Sequence, residues 1–207
     1  MVYKMNTEFT NPSKIKIVGI GNSGNKILEH MMKIKPDEFD YVYISDEDIS
    51  CGFSKVPKKM FIFKVEGFCG PNGNPDVITK FAWNKCDDIS TILSDAEIVI
   101  IVAGMGGTTG AGAAPVVAEI AKDLGIICIS VVTMPFHFEG ERRRKIAETG
   151  IIELTRHTDF LVVLPLDNRL IDGETVKCIF SKADKYIIKT IHHIIDTFGL
   201  NSSELNK

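Results

Sequence analysis

The sequence predicts an α/β protein with a doubly wound, mostly parallel, Rossmann-like sheet and helices on both faces. Apolar, β-branched runs alternate with helix-like patterns along the chain, and this alternation is typical of such sheets. Several runs are continuously apolar, as expected of parallel strands buried on both faces. Glycine-rich loops follow the first and fourth runs. Because ligands of doubly wound sheets bind beyond the carboxyl ends of the strands, these loops mark the candidate site.

The alternation provides six strand candidates and five helix candidates. Strands are predicted at residues 14–20, 41–45, 60–64, 96–103, 126–133 and 160–165. Helices are predicted at residues 25–35, 75–93 (with a break), 113–124, 141–156 and 174–198. These elements form one predicted domain over residues 14–200, and the polar, irregular segments 1–13 and 201–207 are predicted to be tails.

Composition excludes several functional classes. The net charge of -3 provides no electrostatic reason to bind nucleic acid. No apolar run reaches the roughly 18 residues that a membrane-spanning helix needs. The five cysteines are scattered without a Cys-x-x-Cys pair, so neither a disulfide framework nor a zinc site is indicated. We therefore expect a globular protein of the reducing cytoplasm.

The first glycine-rich turn, residues 19–24, has the pattern Gly-x-Gly-x-x-Gly between a predicted strand and a predicted helix. This context is typical of a turn that wraps a phosphate group. Asp46 ends the second predicted strand, where an acidic residue can bind a ribose. Taken alone, these features favour an oxidoreductase that binds a nicotinamide dinucleotide.

The second glycine-rich loop, residues 104–115, contains five glycines and two threonines at a strand-to-helix junction. Glycines let the backbone approach a phosphate closely. The start of the following helix offers free N–H groups and the positive end of its dipole. A dinucleotide needs one phosphate turn, so two such loops favour a triphosphate held from both sides.

Five motifs in this order resemble the tubulin/FtsZ family of cytoskeletal GTPases, nearest to its prokaryotic FtsZ members. They occupy residues 19–24, 67–77, 104–115, 132–143 and 180–184. The stretch GMGGTTGAGAAP is similar to the family's tubulin signature, which grips the phosphates, and VTMPFHFEGERR is similar to its Thr-x-Pro-Phe-x-Phe-Glu-Gly segment. The resemblance implies a guanine-nucleotide site that holds GTP or GDP, with Mg²⁺ arriving on the triphosphate and keeping mostly water and phosphate oxygens as ligands.

The resemblance also implies a role for individual residues. Glu139 would accept hydrogen bonds from the ribose hydroxyls, and Arg143, on the same helical face, would approach the sugar or phosphates. Phe180 would stack on the base, Asp184 would accept from the two donors that distinguish guanine from adenine, and Asn25 is a further base contact. Donors to the phosphates would come from Gly21, Asn22, Gly106, Gly107, Thr108, Thr109 and Gly110.

The chain departs from the family's pattern at two points of the site. Pro165 is followed by Leu166 where the family has asparagine, so Asp167 or Asn168 would have to replace that ribose contact. The family's catalytic acids follow a Gly-Leu pair at the end of the long helix; here Glu204 falls on the first acid and Lys207 on the second. Because lysine cannot act as that carboxylate, Glu204 is the single catalytic candidate. We expect weak hydrolysis unless acids are supplied in trans.

The family's second domain is absent from the sequence. The last predicted helix indicates whether the protein is naturally single-domain. Its isoleucines fall within one arc, whereas Lys185, Lys189, His192, His193 and Asp196 lie on the opposite side. A helix polar on one side is a surface helix, so we hypothesise a naturally single-domain protein. Neighbouring residues point about 100° apart on a helix, so the two histidines are not predicted to share a metal, and no metal-ligand set is predicted.

Three functions remain open from the sequence. The first is a GTP-binding, FtsZ-like factor in cell division that associates with a filament and hydrolyses little GTP alone. The second is a self-assembling GTPase in which Glu204 or an unrecognised acid replaces the missing one. The third is the nicotinamide-dependent oxidoreductase, which leaves residues 104–115, Phe180 and Asp184 without a role.

Overall fold

The structure is a computed structural model that describes residues 14–34, 39–46, 54–62, 73–167 and 175–198. The strands are β1 (Ile15–Ile20), β2 (Asp40–Ser45), β3 (Lys58–Phe61), β4 (Ile98–Gly104), β5 (Ile127–Thr133) and β6 (Phe160–Leu164). The α-helices are α1 (Gly21–Ile34), α2 (Pro75–Trp83), α3 (Cys86–Leu93), α4 (Thr108–Asp123), α5 (Glu141–Thr155) and α6 (Val176–Thr197). A short 3-10 helix spans His137–Glu139.

The six strands form one parallel sheet in the order β3-β2-β1-β4-β5-β6. This order confirms the doubly wound α/β fold. The chain runs outward from β1 in one direction and from β4 in the other, so the winding reverses between these two neighbours. A reversal of this kind leaves a crevice at the carboxyl ends of the strands.

Helices cover both faces of the sheet. On one face, α2, α3, α4 and α5 contribute buried side chains to a single apolar cluster that includes Ile78, Leu93, Val117 and Leu154. On the other face, α1 and α6 pack against the strands through residues such as Leu28, Met31 and Ile191. The strands β1, β4 and β5 between these layers are almost wholly buried, which explains their continuous apolar runs.

The predicted break in the second helical segment is confirmed, since α2 ends at Trp83 and α3 begins at Cys86. Two predicted helix starts were wrong: α1 begins at Gly21 rather than Asn25, and α4 begins at Thr108 rather than residue 113. Glycine disfavours a helix in an isolated chain. Here tertiary packing overrides that preference, because the helices start directly against the strand ends.

The last helix, α6, is amphipathic as predicted. Its buried side chains are Ile179, Ala183, Ile187, Ile188, Ile191, Ile194 and Ile195. Lys185, Lys189, His193 and Asp196 are exposed, and His192 is half-buried. No helix among the described residues is long and apolar enough to cross a membrane.

An ionic cluster around the buried Lys16 joins the amino ends of three neighbouring strands. Lys16 of β1 is 1% exposed, and its Nζ lies 2.5 Å from Asp40 Oδ2 and 2.8 Å from Asp95 Oδ1. Lys58 of β3 also donates to Asp40, at 2.6 Å. Burial opposes the charged form of Lys16, but the hydrogen bonds and charges of the two aspartates outweigh it and raise the pKa of Lys16. The same contact with Lys16 lowers the pKa of Asp95.

We expect Lys16→Ala to lower the free energy of unfolding by about 2–4 kcal/mol, because it removes a buried ion-pair partner and the packing of its side chain. The matched control is Lys14→Ala, whose ion pair with Glu97 is exposed on both sides and should contribute less than about 0.5 kcal/mol. Urea unfolding of both variants measures the difference. Equal effects would show that the Lys16 cluster adds nothing beyond a surface pair.

Candidate functional site

A cleft of about 450 Å³ opens at the carboxyl ends of the strands, over the point where the winding reverses. Seven separate stretches of the chain contribute to it. The lining residues are Ile20, Gly21, Asn22, Ser23, Asp46, Gly104, Gly106, Gly107, Thr108, Thr109, Gly110, Thr133, Met134, Pro135, Glu139, Arg143, Leu166, Phe180, Ala183, Asp184 and Ile187. Of the twelve residues to which the motifs assign a phosphate, ribose or base contact, all but Asn25 therefore line one cavity. Their contacts with a nucleotide stay predictions.

Two helix starts form one end of the cleft. The β1 strand ends at Ile20 and α1 begins at Gly21, which has a φ of 69° that favours glycine. The α4 helix begins at Thr108 after the extended Gly107. The first N–H groups of a helix have no partner within it. The cleft therefore presents two sets of free donors and two positive dipole ends, which is the environment that stabilises phosphate groups.

Close backbone approach fixes this end of the cleft. A Cβ on Gly110 would lie 2.2 Å from the carbonyl oxygen of Gly104, and a Cβ on Gly21 would lie 3.3 Å from Cβ of Thr109. In contrast, a Cβ on Gly107 would meet nothing nearer than 3.9 Å. Gly110 is thus required by the turn between β4 and α4, whereas Gly107 is not sterically required.

Asp46 contacts a threonine of α4, an interaction that the sequence did not indicate. Its carboxylate Oδ1 accepts a hydrogen bond from Thr109 Oγ1 at 2.6 Å, at the end of the cleft formed by the two helix starts. The Thr109 proton is directed to Asp46, so the hydroxyl oxygen presents lone pairs rather than a donor. Carboxylate and hydroxyl oxygens suit Mg²⁺, and these two residues fit a magnesium ion that arrives with a triphosphate. Within the described parts of the chain, no group of three or more acidic, histidine or cysteine residues forms a metal cluster.

Glu139 and Arg143 lie at the side of the cleft, joined by an ion pair of 2.6 Å. Glu139 belongs to the 3-10 helix, and its Oε1 also accepts from the backbone N–H of Phe136 at 2.9 Å. Its side chain is only 14% exposed, whereas that of Arg143 is 57% exposed. The carboxylate is therefore held rigidly, and it retains further acceptor positions for hydroxyl groups.

The other end of the cleft is aromatic and acidic. Phe180 lines it from α6 and meets buried Phe136 edge to face, with ring centroids 5.2 Å apart. One turn further along α6, Asp184 lines the cleft and is half-buried. Burial raises the pKa of Asp184 above its ordinary value, and the positive charges of His30 and Lys26 oppose the rise. An apolar ring beside a partly desolvated acceptor suits a flat base that carries N–H donors.

Four predicted residues lie outside this arrangement or outside the described residues. Asn25 is not among the lining residues; its side chain accepts from Ser54 Oγ at 2.5 Å and donates to Glu29 Oε1 at 3.3 Å. Asp167 accepts from the backbone N–H of His137 at 2.7 Å. Asn168 and Glu204 lie outside the described residues. Their proposed roles stay predictions.

Sequence reasoning missed several lining residues, among them Ser23, Thr133 and Ile187. Ser23 and Thr133 had a usable signal, because each lies at or beyond the carboxyl end of a predicted strand. Ile187 had none, since an isoleucine on an amphipathic helix is ordinarily a core residue.

The order of the strands defines a doubly wound α/β domain, and two helix starts at the carboxyl ends of its strands suit phosphate groups. Residues 14–171 match the pattern described as the Tubulin/FtsZ family, GTPase domain. The chain belongs to the tubulin/FtsZ family, as the motifs predicted, and the nicotinamide oxidoreductase alternative has no support.

Named relatives agree with this assignment. The cell division protein FtsZ of Wigglesworthia glossinidia brevipalpis is 40% identical over 164 residues, which cover 79% of this chain and 43% of that protein. FtsZ of Buchnera aphidicola subsp. Acyrthosiphon pisum is 38% identical over 165 residues, with the same coverage of 79% and 43%. This chain therefore spans less than half the length of these curated relatives.

Solved structures show the same fold. The empty FtsZ dimer of M. jannaschii has a TM-score of 0.80 and 31% sequence identity, covering 89% of this chain and 55% of that one. CetZ2 of Haloferax volcanii, in a protofilament with GTPγS bound, has a TM-score of 0.75 at 18% identity, covering 93% and 60%. The second likeness concerns the fold alone.

We expect Gly110→Ala to lower the free energy of unfolding by about 2 kcal/mol or more, because the added Cβ collides with backbone that has no room to move. The matched control is Gly107→Ala, which meets no close neighbour and should cost about 1 kcal/mol or less through its position at the helix N-cap. Urea unfolding measures both. Equal losses would contradict the steric role assigned to Gly110.

Proposed function

We propose that this chain is an FtsZ-like protein of cell division that binds GTP or GDP in the cleft and hydrolyses little GTP by itself. The observation that carries the proposal is the polarity of the cleft. One end has two helix starts rich in glycine, and the other has Phe180 beside the half-buried carboxylate of Asp184. A guanine nucleotide has phosphates at one end and two adjacent N–H donors at the other, so it matches both ends.

Each group of residues would have one task. The backbone donors at the starts of α1 and α4 would hold the phosphates, and Glu139 would accept from the ribose hydroxyls. Asp184 would accept from the guanine ring N–H and exocyclic amine. Adenine lacks this pair of donors, so it would leave a partly buried acceptor unsatisfied, which is the strongest basis for discrimination. Asp46 and the Thr109 hydroxyl would face a magnesium ion bound to the phosphates.

Hydrolysis would require an acid that positions the attacking water. No acidic side chain of the described residues lies in the cleft other than Asp46, Glu139 and Asp184, and each of these has a binding task in the proposal. The family resemblance assigns the catalytic acids to a neighbouring subunit. We therefore propose that this chain associates with a full-length FtsZ-like filament, which would supply those acids in trans.

We expect Asp184→Asn to weaken GTP and GDP binding by about 10–100-fold. The charged acceptor becomes a neutral amide, and its NH2 group would face the N–H donors of guanine. For the unsubstituted chain, affinity should fall as the pH falls through the raised pKa of Asp184, beginning above the ordinary aspartate value of about 3.9. Titration with a fluorescent guanine nucleotide between pH 7.5 and about 4.5 measures both effects.

The matched control is Asp196→Asn, an exposed carboxylate on the same helix, which should leave binding unchanged. The nucleotide released when the purified chain is denatured provides an independent test. Guanine nucleotide supports the proposal, whereas an adenine or nicotinamide species contradicts it.

We expect the chain, mixed at equimolar ratio with a conventional FtsZ and GTP, to shorten the filaments and change the rate of GTP turnover. The reason is that it offers a nucleotide-binding face to one filament end without offering the catalytic acids at the next. Electron microscopy and phosphate release measure the two effects, and Asp184→Asn is the control that should reduce both. Unchanged length and turnover would refute the association. Concentration-dependent turnover by this chain alone, abolished in Glu204→Ala, would favour the self-assembling GTPase instead.

A further inference from the structure

The two edges of the sheet differ in charge. The β3 edge has the sequence KKMF, with both Lys58 and Lys59 exposed. Lysines on an edge strand discourage pairing with another strand, because pairing would bury their charge. The β6 edge has the sequence FLVVL and carries no charge. One edge is therefore protected against strand addition, and the other is not.

The β6 strand is also poorly covered by the described residues. Phe160 is 40% exposed, and Leu161, Val162 and Val163 are half-buried, whereas the central strands β1 and β4 are almost completely buried. Phe198, beyond the end of α6, meets Phe160 with ring centroids 5.1 Å apart. Among the described residues, β5 is the one strand that pairs with β6, so the outer side of β6 presents an edge together with apolar side chains, a combination that marks an interaction surface.

The charge pattern selects the partner. A strand that pairs with β6 places its side chains beside Phe160 and the half-buried Leu161, Val162 and Val163, so an apolar strand is favoured over a charged one. Of the two sheet edges that the structure describes, β3 is excluded by its lysines. The other described edge is β6 itself, so the partner that fits is the β6 strand of a second copy of the chain.

We propose that this chain forms a symmetric dimer in which β6 pairs antiparallel with β6 of a second copy, so that one sheet continues across both. A two-fold axis perpendicular to the sheet makes the two strands antiparallel. When this axis passes midway between the strands at the level of Val162, it sets Val162 opposite Val162 of the second copy. The contact is independent of the nucleotide cleft, which lies at the carboxyl ends of the strands rather than at the edge.

The contact area sets the expected affinity. A five-residue strand pair flanked by Phe160 and Phe198 is smaller than the roughly 1,600 Å² of a standard protein interface. We therefore expect a weak dimer, with a dissociation constant of about 1–100 μM. Analytical ultracentrifugation of the full 207-residue chain at about 5–500 μM should show a shift toward twice the monomer mass of 22.9 kDa.

Charge substitutions at the centre of the edge test the geometry. Val162→Lys or Val162→Glu alone should each weaken the dimer by about a hundredfold or more, since like charges would face each other across the two-fold axis. An equimolar mixture of the two variants should recover a dimer within about tenfold of the original affinity, because opposite charges then meet. This recovery separates a lost interface from a lost fold.

The matched control is Ile34→Lys, which adds the same charge to an apolar side chain that is 59% exposed on α1 and should leave dimerisation unchanged. Circular dichroism checks that every variant is folded. A chain that remains monomeric up to 500 μM overturns the proposal, as does a dimer that survives either Val162 substitution. Failure of the mixture to recover a dimer overturns the central position of Val162 in the contact.

Discussion

The close approach of backbone at the carboxyl ends of β1 and β4 is the constraint on which the site depends. A Cβ on Gly24 would lie 2.6 Å from the carbonyl oxygen of Val102, and a Cβ on Gly110 would lie 2.2 Å from that of Gly104. These contacts allow α1 and α4 to begin directly at the strand ends. Their free N–H groups consequently converge on one cleft, and a larger residue at either position would separate the helices from the sheet.

The remaining parts of the cleft depend on that frame. Asp46 follows β2 and reaches Thr109 on α4, so a hydrogen bond of 2.6 Å joins the segments that follow β2 and β4, on either side of β1. Glu139 is fixed by a backbone N–H and by Arg143 before any ligand is present. Preorganised polar groups of this kind lower the free-energy cost of binding, because few side chains remain to be ordered. The ion cluster of Lys16 lies at the opposite end of the sheet and takes no part in the site.

The two edge strands of the sheet, β3 and β6, differ in charge and therefore in their capacity to pair with another strand. Lysines protect β3, whereas β6 is apolar and partly exposed among the described residues. The nucleotide cleft and the β6 edge are separate surfaces, so one can be altered without the other.

The sequence by itself determined the fold class, five helical segments including the break near residue 84, and eleven of the residues that line the cleft, but not Ser23, Thr133 or Ile187. It did so because parallel strands are buried on both faces and because phosphate loops need glycine, and both requirements leave local patterns. Tertiary structure alone decided that α1 and α4 begin in the glycine turns, that Asp46 binds Thr109, and that β6 is an exposed edge. These features depend on contacts between distant residues, which override local helix propensity and leave no periodic signal in the chain.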